Sequence, residues 1–452
     1  MVTTATMVRT SHIGIVFSPP RSTSENTRTM CLLLRWSRFS GCVCEPRKET
    51  FGIPSTQATF TTEIMKLEHQ MLFLTQAAAL VHGVAALSDP QHSTLQLSEP
   101  RRAVAAASAD GVVVFAGGCG PDTSTFVCDY PTDIIDVFKP SNGGFARDDS
   151  NNISLSTARG WPTACSAGGV IAILGGGKEG QKPHSRVLDL YDTSTQTISS
   201  NATSLQVGLW GHACATVGDD IYFAGGKVIS QSLQPSMSDQ VSRLAAGADG
   251  KPRLDGLEQV AKLSLDREAA GATNWGDKGF LVAGGTGNWP PIDVPIVDAF
   301  TTPVEEGATP CTWNLNPMPP SPLNEYWLGA AAWNDTVSYI MDNKTLYAVN
   351  SDSAFCGQSP TTNVTIPFVS GVPAARMPGN GVLVDGVGVC FYSAVPSSLV
   401  CYGPDQQAFG NFACDATHVS GGITATGKTV FVGGGVDLAG KITDVVDVFT
   451  FE

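Results

Sequence analysis

The feature that most constrains the fold is a short apolar run closed by paired glycines, which the chain repeats. It appears as Val112-Val113-Val114-Phe115-Ala116-Gly117-Gly118 and as Ile171-Ala172-Ile173-Leu174-Gly175-Gly176. It returns as Ile221-Tyr222-Phe223-Ala224-Gly225-Gly226, Phe280-Leu281-Val282-Ala283-Gly284-Gly285 and Val430-Phe431-Val432-Gly433-Gly434. Runs of this length, rich in Val, Ile and Phe and bounded by turn residues, are buried strands and not helices. Glycine ends each run because it reaches backbone angles closed to other residues and lets a second chain segment come close.

Two further markers hold register with the glycines. Arg101 and Arg159 stand sixteen residues before Gly117 and Gly175, Leu209 and Thr417 stand sixteen before Gly225 and Gly433, and Arg267 stands seventeen before Gly284. Asp189, Asp298 and Asp447 each follow their glycine by fourteen, in apolar strands that end in Tyr191, Phe300 and Phe449. Asp136 with Phe138 fits after a longer loop. Two weaker units without glycine pairs, starting near Glu325 and at Arg376, fill the gap before the last. Unit starts at 101, 159, 209, 267, 325, 376 and 417 give a mean interval of about 53 residues, near the kelch period of about 50.

On these residues the chain from about 93 to 452 resembles the kelch-repeat family. The resemblance implies an all-β fold: a seven-bladed β-propeller of small twisted antiparallel sheets. Residues 94–98 read as an orphan outer strand, and the last unit ends short of its fourth. Pairing the two closes the ring and removes an exposed edge.

The regions upstream differ. Residues 1–64 have a basic balance and no periodic apolar pattern, and are read as a non-native or disordered extension. Residues 65–88 carry a short n-region, the apolar run from Met71 to Val81, and small residues at Ala86 and Ser88, the pattern of a secretory signal peptide. Met65 is then the expected start and 89–452 the propeller. Sequons at Asn152, Asn201, Asn334, Asn343 and Asn363 all lie beyond residue 88 and suit a glycosylated secreted surface. No later run is long and apolar enough to span a bilayer. The net charge of −14 argues against non-specific binding to nucleic acid or anionic membrane. Cys119 with Cys128 and Cys390 with Cys401 are the expected disulfides. Cys311, Cys356 and Cys414 are candidates for a third, and Cys165 and Cys214 are expected as buried thiols.

No catalytic motif of high specificity is present, and no cofactor or metal set is expected. Secreted propellers similar to galactose oxidase need a Tyr-His neighbour pair, which this chain lacks. Mutarotase-like propellers use Arg, Glu and His, for which Arg267, Glu268, Glu325 and His418 are candidates. The sequence therefore supports a binding propeller for an extracellular glycan or protein, with a sugar-modifying enzyme as the alternative. The expected binding residues ring one mouth of the channel: Arg101, Arg159, Trp161, Trp210, His212, Arg267, Glu268, Glu325, Tyr326, Trp327, Arg376 and His418. For each arginine, the resemblance offers an equal alternative, a structural ion pair with a neighbouring blade's acid among Asp136, Asp189, Asp298 and Asp447 that holds blades together. Trp161, Trp210 and His418 are the preferred contacts, because a packed blade does not require them there.

Overall fold

A computed structural model describes residues 89–452 apart from 122–127, 151–152, 178–184, 202–204, 206–207, 230–234, 288–291, 294–295, 315–328, 334–336, 342–345, 351–360, 365–380, 395–396, 404–407 and 438. Upstream it describes four strand backbones. The chain divides into two units, 1–85 and 86–452. In the first, strands Val2–Met7, Ser11–Val16, Met30–Trp36 and Phe39–Glu45 pair in sequence order as an antiparallel meander. The sequence reading placed no strands there. Its search for one long period passes over hairpins made from neighbouring runs such as Met30–Trp36 and Phe39–Glu45.

The second unit is a β-propeller of antiparallel sheets. Its described residues form seven four-stranded sheets, over 105–147, 163–201, 213–262, 271–314, 329–364, 382–413 and 422–450. The last of these takes its fourth strand from Gln91–Gln96, which pairs antiparallel with Val445–Thr450, placing Leu95 opposite Val446 and His92 opposite Phe449. The first strand of each sheet neighbours the first strand of the next, and that of the last sheet neighbours Ala105–Ala109. Apolar faces meet between sheets: Ala172 and Leu174 of one sheet pack with Cys214, Ile221 and Phe223 of the next. First strands of adjacent sheets share no ladder, so side-chain hydroxyls cross between them. The Ser166 Oγ donates to the Ser108 carbonyl at 2.6 Å and the Thr216 Oγ1 to the Ser166 carbonyl at 2.8 Å.

The glycine pairs are the joints between repeats. Each first glycine is left-handed, with φ between 61° and 71° from Gly117 to Gly225. Its Cα lies against the next repeat: a Cβ on Gly175 would stand 2.4 Å from the Leu209 carbonyl, and one on Gly225 equally close to that of Arg267. The second glycine donates its amide to that carbonyl, from Gly118 to Arg159, Gly176 to Leu209, Gly226 to Arg267 and Gly435 to Arg101. Any side chain here would push two sheets apart.

This pattern corrects the register of the last repeat. Gly433 ends the strand Thr429–Gly433, and the left-handed pair is Gly434 and Gly435, with φ of 65° and 96°. Counting back sixteen from Gly434 gives His418, so His418 and not Thr417 holds the marker position.

Candidate functional site

The marker residues meet the buried aspartates inside the sheets. The Arg159 guanidinium donates to Asp189 at 2.6 Å and to the Ile173 carbonyl at 3.3 Å. Arg101 reaches Asp136 at 2.7 Å and Arg267 reaches Asp298 at 2.9 Å. His418 Nε2 lies 2.7 Å from Asp447. Each of these markers pairs with the aspartate of its own repeat, and the backbone carbonyls of Arg101, Arg159 and Arg267 also dock on the repeat before. Burial pulls each arginine's pKa down and the facing carboxylate pushes it back up. Arg101, Arg159, Arg267 and His418 are all fully buried, which corrects their placement around the mouth. An arginine spaced to reach the third strand must run inward between strands, and only its carbonyl remains at the loop. The repeat with Leu209 in the marker position also lacks the acid: Ser242 stands opposite Phe223 where Asp189 stands opposite Ile173. The charge pair is absent there as a unit.

Beyond each of the five described markers the chain turns into the first strand through a left-handed residue. Ala103, Trp161, Ala269 and Ser420 have φ of 54–56°, and Gly211 has 64°. Backbone hydrogen bonds link these turns around the mouth: Ala103 N–H to the Ser420 carbonyl, Trp161 to Ala103 and Ala269 to Gly211. Four of the five positions carry small residues. The fifth carries tryptophan, in a backbone conformation that costs a bulky residue on the order of 1–3 kcal/mol.

Trp161 is half-buried beside half-buried Trp210, with ring centroids 5.5 Å apart and planes at 57°. Lys227 Nζ stands 4.8 Å over the Trp210 ring and 3.9 Å from Glu268. Backbone bridges fix both, Trp210 to Lys227 and Glu268 to Thr286. Three successive repeats thus contribute to one arc of two indoles, an ammonium and a carboxylate.

Two disulfides brace this arc. Cys119–Cys128 closes the loop after the first glycine pair and packs with Ala103 against Trp161. Cys165–Cys214 joins the first strands of neighbouring sheets, just inside Trp161 and Trp210. The sequence reading took these two as thiols. Residues on inner strands of different units come together only once the sheets stand side by side, here with Cα atoms 6.3 Å apart. Cys390–Cys401 forms as expected, Cys311 is also disulfide-bonded, and Cys414 is free.

His212 is corrected as well. It is 5% exposed, lies edge-on to Phe223, and its ring nitrogens have no partner among the described residues. Burial alone drives its pKa down to about 3. It is a neutral packing residue between sheets. Glu325, Tyr326, Trp327 and Arg376 lie outside the described residues, as do Asn152, Asn334 and Asn343. Asn201 is partly buried and donates its amide to the Leu254 carbonyl at 3.3 Å, and Asn363 lies in the strand Thr361–Val364. Of the mutarotase-like set, Arg267 and His418 pair with buried carboxylates and Glu325 lies outside the described residues, which leaves Glu268, partly buried beside Lys227. Away from the arc, a cleft of about 510 Å³ runs between the outer strand Thr197–Asn201 and the 247–253 hairpin, lined by Asp192, Lys251 and Arg253. No helix among the described residues is long and apolar enough to cross a membrane.

Neither a protein-family model nor a curated protein matches this chain.

Proposed function

We propose that this chain is a secreted, glycosylated kelch-type propeller of seven blades, closed by the strand Gln91–Gln96, that binds a glycan on the arc formed by Trp161, Trp210, Lys227 and Glu268. The observation that carries the reading is Trp161. A large indole occupies a left-handed turn where the four other described repeats carry Ala, Gly or Ser, and a disulfide supports it from beneath. Packing alone does not need a residue at this cost. Indole faces stack on the apolar faces of sugar rings, while an ammonium and a carboxylate at the rim direct hydroxyl groups. The tilt of the two rings suits a ligand that turns between successive residues. Secretion is supported by the signal-like segment 65–88, the sequons and the disulfides, which persist in oxidising compartments.

A glycan array probed with the purified secreted chain tests this reading, with hits repeated on Trp161→Ala and Trp210→Ala. The expected result is a family of related glycans lost in both variants, with melting temperature lowered by only a few degrees. A blank array, or hits that both variants retain, refutes it.

A further inference from the structure

The closing repeat differs from the others in what surrounds its aspartate. Asp447 Oδ1 faces His92 Nε2 at 2.6 Å and accepts the Asp415 amide at 2.8 Å. Its Oδ2 faces His418 Nε2 at 2.7 Å. The other His418 nitrogen, Nδ1, faces the Gly434 carbonyl at 2.7 Å. Both His418 nitrogens thus face oxygen atoms, and His418 stands where three other repeats carry arginine. His92 is extra. In the repeats with arginine, the second carboxylate oxygen meets Thr312 Oγ1 (2.8 Å, at Asp298), accepts the Ser98 amide and lies 4.0 Å from Arg147 (at Asp136), or has no hydrogen-bond partner among the described residues (at Asp189). None of these is a metal ligand. Here it meets a neutral-capable imidazole, 28% exposed, with the exposed Asp415 alongside.

We propose that His92 Nε2, the Asp415 carboxylate and Asp447 Oδ1 bind a divalent transition-metal ion of the zinc type. The donor atoms of these three residues all lie within 4.8 Å of one another. One imidazole and two carboxylates form a set that zinc accepts, with water completing a tetrahedron. His418 and the Ala416 amide hold the second oxygen of Asp447 and so orient the carboxylate from behind. On binding, the His92 Nε2–H bond breaks, the metal–nitrogen bond forms, and the proton leaves to solvent. His92 belongs to the strand Gln91–Gln96 and Asp447 to its partner Val445–Thr450. The ion therefore staples the strand contributed by the N-terminal side of this unit to the sheet it completes.

The test titrates ZnCl2 into the full chain by calorimetry, with CaCl2 as the comparison, in wild type, Asp415→Ala and His92→Gln. The proposal expects one saturable zinc per chain, no saturable calcium, and affinity at least tenfold weaker in each variant. Zinc should also raise the melting temperature of wild type and not of the variants. The Asp415 side chain is exposed, so Asp415→Ala decides the matter even where His92→Gln weakens the sheet. Absence of saturable zinc binding overturns the proposal. So does unchanged affinity in Asp415→Ala, which would place the ion elsewhere, for instance on the free thiol of Cys414.

Discussion

Replacing Arg159 by leucine should cost far more than the lost contacts suggest, and replacing Asp189 with it should recover much of the loss. Arg159 and Asp189 are both fully buried and meet at 2.6 Å. Removing one partner of such a pair leaves an uncompensated charge in the core and costs about 3–5 kcal/mol. Replacing both by residues that fit is often close to neutral. The molecule already holds that replacement, since Leu209 and Ser242 occupy the two positions in the next repeat. We expect Arg159→Leu and Asp189→Ser each to lose about 3–5 kcal/mol. The double variant should lose at least ~2 kcal/mol less than their sum, because it strands no charge, although Ser156 loses its carboxylate acceptor. Urea unfolding followed by fluorescence, with the slope checked for constancy across variants, gives the four free energies. Additivity within about 0.5 kcal/mol would refute the coupling. It would mean that the arginine acts by packing alone.

Other consequences follow from the joints, the buried histidine and the pairing of Gln91–Gln96 with Val445–Thr450. Gly175→Ala should destabilise by about 2–5 kcal/mol, since it adds left-handed strain to a 2.4 Å clash with the Leu209 carbonyl; a melting temperature equal to wild type would contradict the account of the glycine pairs. His212 is neutral in the fold with its pKa down at about 3, and near 6.5 when unfolded. Below pH 6.5 the unfolded chain binds a proton that the fold does not, so stability falls by up to about 1.4 kcal/mol per pH unit until about pH 3. His212→Phe should remove that contribution and flatten the acid limb of the stability curve, and an unchanged limb would count against it. Deleting residues 89–98 should lower the melting temperature clearly, because it strips the fourth strand from the last sheet and exposes the edge of Val445–Thr450; an unaffected melting temperature would show that the pairing contributes little.

The joints of the fold were legible in the sequence because their cause is local. A glycine pair after an apolar run records a backbone that must pass within contact of another, and the aspartate downstream records a buried partner. Depth was not legible. Spacing placed Arg101, Arg159 and Arg267 at the loop, but only the strand geometry turns their side chains inward, and each then found its own repeat's acid. A signal was available in one exception, since the repeat with Leu209 for arginine also has Ser242 for aspartate. In the last repeat, Gly433-Gly434-Gly435 admits two registers, and the hydrogen bond from Gly435 to Arg101 selects the later one. That choice brings His418 to the marker. His92 was passed over because it precedes the expected outer strand 94–98; the strand runs Gln91–Gln96, and its pairing with Val445–Thr450 reveals the neighbour. Trp161 and Trp210 stood out in the sequence as indoles at a loop-to-strand entry, and the fold sets their rings side by side. Lys227 and the disulfide beneath Trp161 needed the assembled sheets.

The most direct test of the binding arc is hydrogen exchange by mass spectrometry, with and without a glycan recovered from the array. Binding at the arc predicts slower exchange confined to peptides covering 159–163, 209–213, 226–228 and 267–270. Protection centred instead on the 247–253 hairpin and the strand Thr197–Asn201, with those four segments unchanged, would contradict it.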